Sequence, residues 1–272
     1  MLLPTALLVL FGCADKSIAL GVTPDPDARF IADLSTWECS ASDTGGGGER
    51  TWEGVRSYRL TLEIAPDTLV DRNLPSGNCV KGLDLFPTDA GAAAVDVDGA
   101  PMWSNGDLSG RLTASGTGFW QADAFANQDS CMTTDELLGD GTLLEGIDPF
   151  SGARTPAPGT FVDATISSFD ATRGLDFGAS ATATWDAEGW DASWVQVRRE
   201  KDGMLLESVT CDTTGANAFT LDDDIWGQFN GAVEADVNNL YVGVQRRALV
   251  DVADDQRVEV ITRATHVAVL RD

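Results

Sequence analysis

Short stretches in which apolar and polar residues alternate are the feature that most constrains the fold of this chain. In residues 55–64 an apolar residue occupies every second position from Tyr58 onward: Tyr58, Leu60, Leu62 and Ile64. In an extended backbone these four side chains would share one face. Similar stretches recur along the chain, separated by turns rich in glycine and aspartate. This pattern predicts an all-β fold.

The most regular series of predicted strands lies in residues 160–272. The sequence Lys201-Asp202-Gly203 between two of these strands is a strong signal for a hairpin turn. The predicted strands of this region are 160–166, 179–185, 194–199, 204–211, 218–221, 240–247 and 257–270. Short strands at regular spacing over about 110 residues indicate a sandwich of two sheets.

A first β-rich region precedes this one and has longer irregular loops. Besides 55–64, its predicted strands are 80–86, 93–97, 108–114 and 118–125, with a short helix at 134–138. Residues 148–159 contain three prolines and are the best candidate for a domain boundary. We therefore predict two β-sandwich-like domains, at 30–147 and 160–272, joined by a linker at 148–159.

The first residues of the chain have the composition of an export signal. Residues 1–12 are an apolar run that ends at Cys13, too short to cross a bilayer, which takes about 20 apolar residues. The sequence Leu10-Phe11-Gly12-Cys13 resembles the lipobox of bacterial lipoproteins. The resemblance implies that 1–12 are a signal peptide, that Cys13 is lipidated, and that 13–29 are a polar tether. The alternative is an N-terminal core strand with a chance cysteine.

The same resemblance bears on where the protein resides. Ala14 rather than aspartate follows Cys13, which in lipoproteins of the enteric type favours transport to the outer membrane. We therefore expect an outer-membrane protein held by its lipid, facing the periplasm or the cell surface.

An exported chain folds in an oxidising compartment, so we expect disulfides among the other four cysteines. These are Cys39, Cys79, Cys131 and Cys211. Four cysteines allow three connectivities. We favour Cys79–Cys131, because both residues lie in polar, loop-like contexts of one predicted domain. Cys39 and Cys211 would then form a second disulfide or remain free thiols. The spacing contains no CxxC pair and the chain has one histidine, which argues against a structural zinc site.

Two segments of the second region carry a further resemblance. Ala183-Thr184-Trp185 and the segment 241–247, which begins with Tyr241, resemble strands of the fibronectin type III and immunoglobulin-like modules of bacterial surface proteins. The resemblance implies a core role for Trp185 and Tyr241, and a spacer or adhesive function for 160–272. It transfers no catalytic residues.

The charge of the chain excludes one class of partner. With 18 Lys and Arg against 43 Asp and Glu, the formal net charge is −25. A surface this acidic repels phosphate backbones, so nucleic-acid binding is excluded. The excess of aspartate over lysine also resembles that of salt-adapted or marine secreted proteins, in which acidity serves solubility.

Acidic residues and tryptophans supply the candidate binding sites. Asp96, Asp98 and Asp107, near Asn105, are candidate calcium ligands, although the sequence lacks the third ligand and the final glutamate of an EF-hand loop. The alternative is a solvated turn, and this applies equally to the acidic cluster 222–224. No other cofactor is expected.

Trp103 and Trp190 lie in turn-like contexts and are candidate platforms for stacking sugars. The alternative is that they belong to the core, as we expect for Trp185 and Trp194. We expect His266 to point outward from a strand rather than to act as a catalytic base, since no nucleophile motif accompanies it.

Three classes of function remain. The first is a non-catalytic, membrane-anchored lipoprotein that binds a glycan or an envelope protein, or acts as a spacer. The second is a secreted glycoside hydrolase that uses two carboxylates. The third is a structural component of an envelope assembly, which would expose an apolar patch. We favour the first, as a monomer whose region 30–147 contacts the ligand through its loops.

Overall fold

The computed structural model describes residues 26–39, 52–64, 74, 77–83, 85, 98–116, 118–126, 141–157, 164–168, 174–202, 204–230, 235, 237–253 and 256–271. In the first half of the chain the strands are β1 Ala28–Cys39, β2 Trp52–Ile64, β3 Cys79–Lys81, β4 Asp98–Asn105, β5 Leu108–Arg111, β6 Thr113–Gly116, β7 Phe119–Ala126 and β8 Leu143–Asp148. In the second half they are β9 Ala164–Ile166, β10 Leu175–Asp176, β11 Ala181–Trp185, β12 Ala192–Lys201, β13 Met204–Asp212, β14 Ala218–Leu221, β15 Val237–Ala253 and β16 Gln256–Arg271, with one short helix, α1 Asp223–Trp226. The predicted all-β class is confirmed.

One large sheet organises the described part of the chain. Its strand order is β3-β13-β12-β15-β16-β1-β2-β7-β6, and β10 pairs with the end of β16. β1 and β16 run parallel, in a register that sets Ala28 opposite Val258 and Thr36 opposite His266. Strands from both predicted domains are therefore neighbours in one sheet. The division of the chain at 148–159 stays a prediction.

Two small sheets cover one face of the large sheet. The sheet β14-β11-β9 encloses a hydrophobic cluster with β12, β13, β15 and the second half of β16, and the sheet β5-β4-β8 encloses another with β1, β2 and the start of β16. Each half is thus a two-layer sandwich, and the large sheet is common to both. Burial of these apolar side chains is the main source of stability.

The strongest local predictions are confirmed. Tyr58, Leu60, Leu62 and Ile64 are all buried on one face of β2. Lys201 pairs with Met204 across the predicted hairpin turn, where Asp202 has a positive φ of 51°.

Cys79 and Cys211 form a disulfide, so the predicted pairing of Cys79 with Cys131 is wrong. The reason is strand pairing: β3 lies antiparallel beside β13, which sets Cys79 directly opposite Cys211 with their Cα atoms 4.0 Å apart. The predicted partnership of Cys39 with Cys211 is wrong for the same reason. Cys131 and the side chain of Cys39 lie outside the described residues, as do the predicted strand 93–97 and the predicted helix 134–138.

A close approach in β15 explains one glycine. The indole of Trp194 lies so near Gly243 that a Cβ at this position would come within 2.2 Å of its ring atoms. Trp194 is fully buried and Trp185 is 5 % exposed in the cluster under β11, so both predicted core tryptophans are confirmed.

Tyr241 is half-buried, and its hydroxyl accepts a hydrogen bond from Nδ2 of Asn239 at 3.2 Å.

Candidate functional site

Trp103 is a core residue, so its predicted role as a ligand platform is wrong. It is 4 % exposed in β4 and meets the Tyr58 ring edge-on, with 6.1 Å between the centroids. Its indole also lies against Gly110, where an added Cβ would come within 2.9 Å of Nε1. The turn that the sequence signalled is real but begins after β4, at Gly106, so the strand holds Trp103 inside.

Trp190 lies just before β12 and is half-buried. The guanidinium carbon of Arg246 is 5.6 Å from the centroid of its ring, a cation–π contact that occupies one ring face. Sugar stacking on Trp190 stays a prediction.

The candidate calcium loop is described in part. Asp96 and the side chain of Asp98 lie outside the described residues, and Asp107 is exposed in the turn after β4. Asn105 is buried and donates from Nδ2 to the hydroxyl of Tyr58 at 3.3 Å, so its amide serves the core. Within the described ranges, no group of three acidic, cysteine or histidine side chains is placed to hold a metal ion.

The acidic cluster 222–224 has a structural role. The carboxylate of Asp222 accepts from the backbone N–H groups of Asp224 and Ile225, which makes it the N-cap of α1. Asp223 and Asp224 then occupy the first turn of this short helix, where negative charge is favourable.

His266 is buried, at 5 % exposed, so the expectation that it points outward is wrong. It occupies a central strand with β15 on one side and β1 on the other, and cover on both faces buries residues 258–268 of β16.

Cys13 and the predicted signal peptide and tether up to residue 25 lie outside the described residues.

A buried charge cluster lies on the face of the large sheet opposite the small sheets. The pairing registers set Arg29 directly between Glu63 of β2 and Glu259 of β16. Nε of Arg29 is 2.6 Å from Oε2 of Glu259, and its Nη1 is 3.4 Å from Oε2 of Glu63. Arg247 of β15 also contacts Glu259. The sequence carries no sign of this cluster, because its members are close only after β1 and β16 have paired.

The protonation behaviour of Glu259 indicates a structural role for the cluster. Burial alone would raise the pKa of this carboxyl, but the charges and hydrogen bonds of Arg29 and Arg247 outweigh burial and hold the pKa below its usual range. A glycosidase acid needs the opposite shift. Glu259 therefore lacks the raised pKa that such a proton donor requires.

Acid should therefore weaken the fold through Glu259. A carboxyl whose folded-state pKa is lowered contributes stability above its unfolded-state pKa, about 4.3, and loses it as pH falls through the folded-state value. We expect Glu259→Gln to lower the free energy of unfolding near neutral pH, and the gap to wild type to narrow as the pH falls. Urea unfolding from about pH 7 to about pH 3 tests this. Asp123→Asn, in an exposed ion pair, is the control; a gap that stays constant or widens in acid contradicts the assignment.

A second row of charges on the same face contacts the segment that follows β3. Arg263 is 1 % exposed, and its Nη1 donates to the carbonyl of Leu85 at 2.7 Å and lies 3.9 Å from Oδ1 of Asp33. Burial lowers the pKa of Arg263, and Asp33 opposes that shift. Gln196 and Ser208 donate to the carbonyl of Leu83 at 3.0 and 2.8 Å. Leu83 and Leu85 are thus held over the polar face by hydrogen bonds to their carbonyl groups.

The exposed apolar side chains concentrate at one end of the large sheet. Six large hydrophobic residues are exposed in the described part of the chain. Four of them lie at the same end of the sheet: two at the start of β13, after the hairpin turn, one at the first residue of β15 and one near the end of β16. We call these four the distal patch: Leu206, Val237 and Val269, together with Met204, which lies opposite Lys201 at the hairpin turn and so on the other face of the sheet from Val237; they are 38–67 % exposed.

The registers show how part of the distal patch is assembled. Val269 lies opposite Asn239, two residues from Val237 on the same face of the sheet. Asn239 in turn lies opposite Arg198, whose guanidinium is paired with Glu200. The two valines therefore flank buried polar groups, an arrangement of apolar and polar side chains that suits contact with another molecule. The sequence contained one sign of it, since residues 267–270 are apolar on both faces of a strand.

The distal patch lies far from the point where the chain enters the sheet. β1 begins at Ala28 beside Val258, near the turn between β15 and β16. β1 and β16 both run from that entry end to the distal end, a length of about 40 Å for a twelve-residue strand. The entry point and the distal patch are thus at opposite ends of the same strands.

No helix among the described residues has the length and apolar character needed to cross a membrane. Comparison with models of known protein families finds no match to this chain, and no curated protein matches its sequence.

Proposed function

We propose that the protein is a non-catalytic lipoprotein, anchored to the outer membrane through Cys13, that binds an envelope protein with its distal end. The observation that carries the proposal is the position of the distal patch, at the end of the large sheet opposite the entry of the chain at Ala28. A tether attached before β1 would hold the entry end near the membrane. The distal patch would then face away from it.

The chemistry of the distal patch favours a protein partner over a glycan. Three of its members are aliphatic and one is methionine, and these side chains offer apolar area without the aromatic faces on which sugars stack. Interfaces with protein partners commonly combine such a centre with polar residues around it, and here Glu200, which pairs with the buried Arg198, lies opposite Val237. This revises the expectation that loops of region 30–147 make the contact.

The anchor and the binding surface are tested separately. Cys13→Ser should move the full chain from the detergent phase to the aqueous phase in a phase-separation assay. Unchanged partitioning contradicts the anchor.

For the binding surface, a photo-crosslinking amino acid at Leu206 should form a discrete protein adduct in host cells. The same amino acid at Glu188, which is exposed and precedes β12 at the end of that strand away from the distal patch, is the matched control and should form none. Changing Val237 and Val269 together to threonine replaces two methyl contacts, each worth about 0.8 kcal/mol, and should lower the adduct yield about 15-fold. Equal labelling at both positions, or a yield that the threonines leave unchanged, contradicts the distal site.

A further inference from the structure

β14 lies at the edge of the small sheet β14-β11-β9. It pairs with β11 in a regular antiparallel register, from Ala218 opposite Thr184 to Leu221 opposite Ala181. Residues 213–221 contain no charged residue and no proline. Charged side chains, proline and bulges are the devices that keep edge strands from pairing with other chains. β14 carries none of these devices, so it is suited to accept a further strand.

Contacts with β11 fix which backbone groups of β14 point outward. The carbonyl of Asn217 accepts from the N–H of Trp185 at 3.0 Å, so residue 217 faces β11. Because the direction alternates along a strand, the N–H and C=O groups of Ala218 and Thr220 point away from β11. The Oγ1 atoms of Thr182 and Thr220 are 3.1 Å apart, the close approach expected of a pair that shares no main-chain hydrogen bond.

The side chains of β14 leave this edge accessible. Ala218 and Thr220 are exposed, and the hydroxyl of Thr220 is bonded within the sheet, to Thr182. Phe219 is half-buried, since its ring packs in part against the hydrophobic cluster under β11. The edge therefore offers main-chain hydrogen bonds beside one partly exposed aromatic ring.

The edge is complementary to itself. In an antiparallel pair of two such strands with a two-fold axis at Phe219, Ala218 of each copy lies opposite Thr220 of the second copy. Each of these two pairs exchanges both main-chain hydrogen bonds. Phe219 lies opposite its own counterpart, so two half-buried rings meet. Asp222 lies opposite Ala216 of the second copy, so the pairing sets no acidic residue against another.

We propose that two copies of this chain associate through the β14 edges, in antiparallel register about Phe219, and join their small sheets into one. The pairing is short, so the association is weak. The net charge of −25 on each chain opposes it at low ionic strength. In about 1 M salt the Debye length falls to about 3 Å, which removes the long-range repulsion and favours the dimer.

The symmetry of this pair determines how the two copies are oriented. The two-fold axis is normal to the sheet and reverses every direction within it, so the entry ends of the two copies point in opposite directions. The pair therefore suits copies that face each other rather than neighbours in one membrane. It revises the expectation of a monomer and is independent of the distal patch.

Sedimentation velocity of the full chain in mild detergent, over a concentration series at low salt and at about 1 M salt, tests the proposal. Wild type should dimerise with increasing concentration, and more strongly in high salt. Ala218→Pro removes an N–H that points away from β11, a position at which an edge strand tolerates proline. It should weaken the dimer about tenfold or more. Ala218→Ser keeps the N–H, is the matched control, and should dimerise like wild type.

A pair of cysteine variants tests the register without relying on proline. Ala218→Cys in one copy lies opposite Thr220→Cys in the other, with about 5.5 Å between their Cα atoms, a distance that a disulfide spans. Under mild oxidation, a mixture of the two variants should give more crosslinked dimer than either variant alone.

Three results overturn the proposal. The first is a wild type that stays monomeric at every concentration and salt. The second is Ala218→Pro that dimerises like wild type. The third is a cysteine mixture that crosslinks no better than its separate components, because the strands would then not pair about Phe219.

Discussion

Replacing Arg29 with methionine should lower the free energy of unfolding by about 3–5 kcal/mol, since it leaves buried carboxylates without their main counter-charge. The side chains of Glu63 and Glu259 are 2 % and 9 % exposed, so water cannot replace the guanidinium. Arg247 still contacts Glu259, but Glu63 lies on the other side of β1 from β15. Chemical denaturation near neutral pH measures the loss.

The chain offers a matched control for this substitution. Arg59 lies on β2 and pairs with Asp123 at 2.8 Å, but the two side chains are 41 % and 49 % exposed. Arg59→Met should therefore cost less than about 1 kcal/mol. Adding Glu63→Gln and Glu259→Gln to Arg29→Met should restore part of the stability. Similar losses for Arg29→Met and Arg59→Met would contradict a special role for the buried cluster.

Removing the disulfide should have the second large effect. Cys79 and Cys211 are 132 residues apart in the sequence, so their crosslink closes a long loop in the unfolded chain. We expect Cys79→Ser together with Cys211→Ser to lower the free energy of unfolding by about 2–5 kcal/mol. The thermal midpoint and the denaturant midpoint should both fall.

Reduction of the wild type provides the comparison for the double serine variant. With reductant present, the difference between the two proteins should shrink, because wild type then also lacks the crosslink. If the serine variant is as stable as oxidised wild type, the disulfide does not stabilise the fold. If wild type remains far more stable under full reduction, packing of the sulfur atoms matters more than the crosslink.

The sequence predicts local structure well where one strand face is buried and a turn has specific chemistry. β2 alternates clearly, and Asp202 supports the hairpin between β12 and β13. The sequence also predicts β16, as a strand at 257–270, but its alternation is weaker because cover on both faces buries residues 258–268. No sequence pattern predicts strand β4, and the glycine that marks the following turn places Trp103 in a turn that begins only after this strand.

The candidate sites depend on pairings between distant parts of the chain. Arg29 and Glu259 look like ordinary surface residues in the sequence, and they become a buried pair only in the register of β1 and β16. The disulfide follows the same rule, since Cys79 meets Cys211 through the pairing of β3 with β13. The distal patch likewise depends on where neighbouring strands end. Composition and spacing carry no information about such positions.

The parallel pairing of β1 with β16 has a consequence for how the chain folds. Arg29 and Glu259 are 230 residues apart, so the middle of the sheet joins one of the first described strands to the last. A chain synthesised from its N-terminus releases β1 early and must keep one of its edges unpaired until β16 emerges. Long-range pairing of this kind slows folding and exposes strand edges to wrong partners. The edge of β1 that pairs with β16 is therefore open to wrong partners until the last described strand is available.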